Sequence, residues 1–237
     1  YLSTGSMTMN GSMCKAGAAG DGYYAGYINF STKYGSALQV INEFIKTGDG
    51  AQFSALLSTL RDYASTGNGA VSGLEGFCGA WVAAAKSSVF LDAQTSVVNA
   101  VYGAAAIQHA QSRGIRFGLT KAALLDIAIV NGVGAGKNAI DDIVQRADAA
   151  STLIENNLSG VNIRVNGKDV DEINWLQTLL NKWLEVNPAA QPHAHVFLDL
   201  IAGRQYSFDS KISLTVNGNT GYITFDCSTG APPRRRR

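Results

Sequence analysis

At 237 residues with 46% hydrophobic and 16% charged side chains, the chain can fill the core of one globular domain, or of one domain in two lobes. Mean hydropathy is +0.03, and no apolar run approaches the roughly 18 residues that a bilayer demands, so a membrane protein is not expected. The formal net charge of +1 includes the four arginines at 234–237, which leaves the remainder mildly acidic; with no basic stripe interleaved with aromatics, a nucleic-acid groove is excluded.

Residues 1–20 are rich in Gly, Ser and Met and read as loop. No basic-then-apolar leader is visible, so any secretion signal is expected to have been removed already. The stretch AGDGYYAGYINF (19–30) places Asp21 between two glycines, followed by Tyr23, Tyr24 and Tyr27. Glycine allows positive φ or close backbone approach, and tyrosine offers an apolar body with a polar tip. The spacing of Leu38, Ile41 and Ile45 predicts a helix over 36–46, ended by Gly48-Asp49-Gly50. A second helix over 51–64 turns Phe53, Leu56, Leu57 and Leu60 inward, and a Gly-rich connection occupies 66–79.

Residues 81–113 form a long helical region broken near Ser87 or Ser88. Residues 119–131 are almost wholly apolar, which predicts a helix surrounded by protein. A helix over 139–156 precedes NIRVNGKDVD, whose Asn166-Gly167 between alternating residues signals a hairpin. The stripe Ile173, Leu176, Leu180 and Leu184 predicts a helix over 172–186, and 211–226 reads as a second hairpin. The expected class is α+β, mainly α. Residues 1–230 form the expected single domain, and 231–237 an unstructured Arg tail. Cys14, Cys78 and Cys227 show no CxxC spacing, so no zinc site is expected; they permit one disulfide, of open pairing, and one thiol. Low lysine content and abundant Gly, Ser and Asn lean toward an extracellular protein.

The segment GDGYYAGYINF resembles the GDG signature of the family 46 chitosanases, members of the lysozyme-like superfamily. The segment from Gly73 to Tyr102, LLDIAIVNG (124–132), DEINWLQTLLNKWLE and HVFLDLI are similar to later family segments, in the same order. The resemblance covers roughly residues 20 to 225. It implies two mostly helical lobes flanking a glycan cleft, with a small sheet in one of them. It also implies a carboxylate pair, one to protonate the leaving oxygen and one to activate water.

The family's base maps onto Asp21. Its acid, a Glu some eighteen residues earlier, has no counterpart, because no Asp or Glu precedes Asp21 in this sequence. The family's water-holding Thr falls near Tyr24 and a subsite carboxylate at Ser36. A later Arg, which pairs with the Asp matching Asp126, falls near His195, and Asn131 replaces a family His. These departures favour a polysaccharide lyase that performs β-elimination on an anionic uronan. Asp21, Tyr24, Tyr27 and His195 would be its catalytic residues, and Tyr23, Asn29, Ser36, Asn131 and His193 its substrate contacts. A tyrosine base would need its pKa lowered toward neutrality. The alternatives are a chitosanase-like hydrolase using Asp21 with another acid, such as Glu75 or Asp49, and a non-catalytic glycan- or protein-binding module. The expected partner is a polysaccharide substrate, with no nucleic acid, membrane or cofactor, and the protein is expected to be a monomer.

Overall fold

The structure is a computed structural model that describes residues 10–134, 136–152 and 157–207, and the backbone of strands at 212–216 and 219–223. The chain divides after Val101 into two compact units.

The first unit begins with a three-stranded antiparallel sheet of β1 (Cys14–Ala16), β2 (Tyr23–Ala25) and β3 (Phe30–Ser31). Its register pairs Lys15 with Tyr24 and Ala25 with Phe30. These strands lie where the sequence reads as loop and tyrosine-rich turn. At two or three residues each they are too short to show a period of two. Four helices follow: α1 (Ser36–Ile45), α2 (Leu57–Thr66), α3 (Phe77–Ala84) and α4 (Ser88–Val97). A 3₁₀ segment over Ala51–Leu56 leads into α2. The expected break in the long helical region is real: α3 stops at Ala84, and Ser87 caps α4 by accepting the Val89 N–H at 3.2 Å. The core gathers Phe30, Phe44, Phe53, Phe77, Trp81 and Phe90, all at most 2% exposed. Phe90 meets Trp81 edge-on at 4.8 Å. A Cys14–Cys78 disulfide ties β1 to α3, settling the pairing that the sequence leaves open; Cys227 lies outside the described residues.

The chain leaves this unit within a π-helical segment, Val98–Gly103. The second unit contains α5 (Ala104–Arg113), α6 (Gly118–Asn131), α7 (Ile140–Ser151), α8 (Glu172–Val186) and α9 (Gln191–Ala202). It also holds two hairpins, β4 (Asn162–Val165) with β5 (Lys168–Asp171), and β6 (Ile212–Val216) with β7 (Asn219–Ile223). Asn166 and Gly167 take φ of 48° and 79°, the left-handed pair that a tight hairpin turn requires. Helix α8 forms the centre of this unit, with Trp175, Leu176, Leu179, Leu180 and Trp183 all fully buried. Helix α6 is less enclosed than its composition predicts, since Val130 is 37% exposed.

Two buried carboxylates organise the second unit. Asp148 on α7 accepts hydrogen bonds from Arg113 Nε on α5 and from Trp175 Nε1 on α8, each at 2.9 Å. Glu172 accepts the N–H groups of Arg116 and Phe117 at 2.9 Å, which satisfies donors at the start of α6 that no intrahelical partner reaches.

Candidate functional site

Asp21 sits in the turn between β1 and β2. Its N–H donates to the Ala18 carbonyl at 3.0 Å, and Gly17 and Gly22 close the turn with a 2.7 Å hydrogen bond. Gly20 and Gly22 have φ of 85° and 73°, so both flanking glycines are required by backbone geometry. The segment after α2 backs this turn: the Gly22 N–H donates to the Gly69 carbonyl at 2.7 Å. The Asp21 side chain, 38% exposed, has its Oδ1 3.5 Å from Lys33 Nζ.

Tyr23 and Tyr24 lie on β2, and Tyr27 lies in the turn that follows it. Tyr23 stacks on Phe77 at 5.4 Å. The ring of Tyr24 packs so close to Gly17 that a Cβ there would stand 2.7 Å from it. Tyr27 meets Phe30 edge-on at 5.9 Å, and its hydroxyl donates to Thr95 Oγ1 at 3.4 Å. Asn29 takes a φ of 60° in the turn between β2 and β3. Ser36 is buried at the start of α1, where its hydroxyl accepts the Ser31 N–H at 2.8 Å. Asp21, the three tyrosines, Asn29 and Ser36 thus all belong to the first unit, where Tyr24 is the tyrosine beside Asp21.

The remaining candidates belong to the second unit. Asn131 donates to the Asn138 carbonyl at 2.9 Å and accepts from Trp183 Nε1 at 2.6 Å and Asn187 at 3.1 Å. His193 Nδ1 lies 2.8 Å from Asp126 Oδ2, and its ring meets Trp183 at 6.0 Å. His195, nearer the position that the resemblance gives to the pairing Arg, is exposed on α9; it is His193 that contacts Asp126. Among the described residues, no group of three His, Cys, Asp or Glu could hold a metal ion.

Electrostatics runs against the elimination chemistry. Burial raises the Tyr24 phenol above its ordinary value, and the charges of Asp21 and Tyr34 raise it further, against a lowering effect of Lys33. Burial likewise raises Tyr27. A base for proton abstraction needs the opposite shift. Glu75, one candidate acid, is exposed. Its carboxyl is held below the usual range by its own N–H and that of Gly73, the wrong direction for a proton donor.

Sequence reasoning missed two members of this site, Lys33 and Gly69. A lone lysine after a two-residue strand carries no motif, and a loop glycine gives no sign of the backbone it touches.

A family model described as glycosyl hydrolase family 46 matches residues 10–185. A chitosanase of Bacillus subtilis (strain 168) is 28% identical over 170 residues, 70% of this chain; the chain spans about half the length of that relative, 55%. Among solved structures, the native chitosanase of Bacillus subtilis MY002 superposes with a TM-score of 0.81 at 21% identity, over 94% of this chain and 93% of that one. The family 46 chitosanase of Gynuella sunshinyii, in complex with chitotetraose, gives 0.83 at 22% identity, over the same shares of the two chains. The fold is therefore the chitosanase fold, α+β and mainly α. The match to a hydrolase family overturns the lyase reading and with it the roles of Tyr24, Tyr27 and His195 in elimination.

Proposed function

We propose that this chain, which belongs to glycosyl hydrolase family 46, is a glycoside hydrolase of chitosan-type polysaccharides in which Asp21 is the base that activates water. The observation that carries the reading is the setting of Asp21. Its half-exposed carboxylate stands on a turn fixed by three backbone hydrogen bonds, inside the matched residues. A carboxylate held on rigid backbone and open to solvent can orient a water and take its proton, while a separate general acid, which the reaction also requires, gives a proton to the leaving oxygen as the glycosidic bond breaks. The chitosanase named for its chitotetraose complex supports a β-1,4-linked glucosamine polymer as the substrate. Tyr23, Asn29 and Ser36 then shape the sheet and turns that carry Asp21.

The disulfide supports an oxidising, extracellular setting, and among the described residues no helix is long and apolar enough to cross a membrane. The reading is of a secreted monomer. The test is release of reducing ends from chitosan. Asp21→Asn should lower the rate by about 10²–10⁴, the range for a lost general base, with unfolding temperature unchanged. A wild-type protein that releases no reducing ends would overturn the hydrolase reading. An Asp21→Asn variant within tenfold of wild type would remove Asp21 from the role of base.

A further inference from the structure

The hydrogen bonds that fix the Asp21 turn run through main-chain atoms alone. They set where the side chain starts, while its χ1 and χ2 rotors stay free unless the carboxylate itself is held. Among the described residues, the one hydrogen-bond donor to that carboxylate is the Lys33 ammonium, 3.5 Å from Oδ1. The contact engages one oxygen and leaves Oδ2 open.

Lys33 is placed by its own backbone. A Cβ at Gly22 would stand 2.4 Å from Thr32 Oγ1 and 3.6 Å from the Lys33 nitrogen, so the two main chains run side by side next to Asp21. Thr32, fully buried, donates its N–H to the Tyr23 carbonyl at 3.0 Å and accepts the Tyr23 N–H on Oγ1 at 2.9 Å. Beyond it, the Ser31 N–H donates to Ser36 Oγ at 2.8 Å and the Tyr34 N–H to Ser31 Oγ at 3.3 Å, which closes the turn into α1. The Lys33 side chain is 23% exposed, and its Nζ lies 5.4 Å from the Tyr34 ring centroid, within cation–π reach. One ammonium thus contacts an aromatic ring as well as the proposed base.

We propose that Lys33 is a positioning residue for hydrolysis: it holds Asp21 Oδ1 and so presents Oδ2 to the water that Asp21 deprotonates. The proposal rests on the hydrolase reading above and adds to it the group that aims the base. A half-exposed ion pair contributes little to stability, because solvent screens it; its effect lies in geometry. A carboxylate released into three staggered χ1 wells spends about a third of its time in any one of them. A reacting group misplaced by about 1 Å loses on the order of a hundredfold in rate. Freeing the carboxylate should therefore lower kcat by about three- to tenfold. KM should hold, since the ammonium is engaged by Asp21 and the Tyr34 ring rather than by substrate.

The experiment measures kcat and KM on chitosan, with thermal unfolding, for wild type, Lys33→Met, Lys33→Arg, Asp21→Asn and the double variant Lys33→Met with Asp21→Asn. Lys33→Met keeps an aliphatic stem and removes the charge. It should lower kcat at least about threefold at unchanged KM, with Tm within about 4 °C of wild type. Lys33→Arg should recover most of the loss. In the Asp21→Asn background Lys33→Met should cost nothing further, because no base is left to aim. A smaller fall in kcat, a change confined to KM, an Arg variant no better than Met, or an undiminished loss in the Asp21→Asn background overturns the proposal. If wild type releases no reducing ends, the hydrolase reading falls by itself, and three-bond Hα–Hβ couplings of Asp21 decide whether Lys33 aims the carboxylate. A single χ1 rotamer in wild type with averaging in Lys33→Met upholds that role; equal couplings in the two proteins overturn it.

Discussion

Gly69 lies so close to Gly20 that a Cβ at position 69 would stand 1.7 Å from the Gly20 carbonyl oxygen, while the Gly69 carbonyl accepts the Gly22 N–H at 2.7 Å. The two segments meet backbone to backbone directly behind Asp21. No rotamer change relieves a contact whose other side is main chain. Gly69→Ala must therefore push the Asp21 turn away, at about 1–3 kcal/mol of stability. Because a displacement of about 1 Å in a reacting group costs on the order of a hundredfold in rate, chitosan hydrolysis should fall far more than the stability loss alone explains. Gly79→Ala is the control: nothing lies within 4 Å of a Cβ there, so this substitution inside α3 should be neutral or stabilising by up to about 1 kcal/mol.

Tyr24 separates a hydrolase from tyrosine-based chemistry. Its phenol stays protonated beside Asp21, raised by burial and by the neighbouring carboxylate. Hydrolysis by Asp21 uses no phenolate, so Tyr24→Phe should retain the rate within about threefold of wild type, and its pH profile should show no lost basic limb. Loss of a hundredfold or more in a folded Tyr24→Phe would return the hydroxyl to the chemistry.

What the sequence showed and hid follows from distance along the chain. The helices were legible because their cause is local: Ile41 in one stripe and Ile173, Leu176 and Leu180 in the other recur at helical spacing and are buried, although Leu38, Ile45 and Leu184 of the same stripes are only half-buried. The Asn166-Gly167 hairpin was legible in the same way. The sheet carrying Asp21 was not. Its strands pair across a turn, are stapled by a disulfide spanning 64 residues, and are backed by a Gly-rich loop that gives no sign of which backbone it touches. The site showed Asp21 through its glycines. It hid Lys33, which reaches Asp21 only because β2 and β3 fold back over twelve residues. In the second unit, His193 was named as a substrate contact, but its pairing with Asp126, 67 residues away, was not read.

Asp171 makes stability depend on acid pH. Burial pushes its carboxyl up, but hydrogen bonds from the Ser159 N–H and hydroxyl and from the Asn174 and Ile173 N–H groups outweigh this and leave it below its ordinary value of 3.8. A carboxyl depressed by folding stabilises above its unfolded pKa, and that contribution is lost as pH falls through the lower folded value. Wild type should therefore lose stability as pH drops below about 4 more steeply than Asp171→Asn. At pH 7 the variant should be about 1 kcal/mol less stable, the ordinary worth of a helix N-cap. Urea unfolding across pH 2.5–7 measures both; parallel curves would mean that the hydrogen bonds do not favour the ionised form.

Asp148 tests the second unit. Its carboxylate satisfies Arg113 and Trp175 Nε1 at once, is 8% exposed, and the guanidinium carbon lies 5.6 Å from the Trp175 ring. Asp148→Ala leaves a guanidinium and an indole N–H without their partner in low dielectric, a loss of about 3–5 kcal/mol. Removing both charges, as Asp148→Ala with Arg113→Met, eliminates the stranded cation and leaves only the indole donor unsatisfied. The double variant should accordingly recover part of the lost stability, and equilibrium urea unfolding of the two singles and the double yields the coupling. Equal stability of Asp148→Ala and wild type would show that the pair is solvated; a double variant no better than Asp148→Ala would assign the cost to Trp175 rather than to the buried charge.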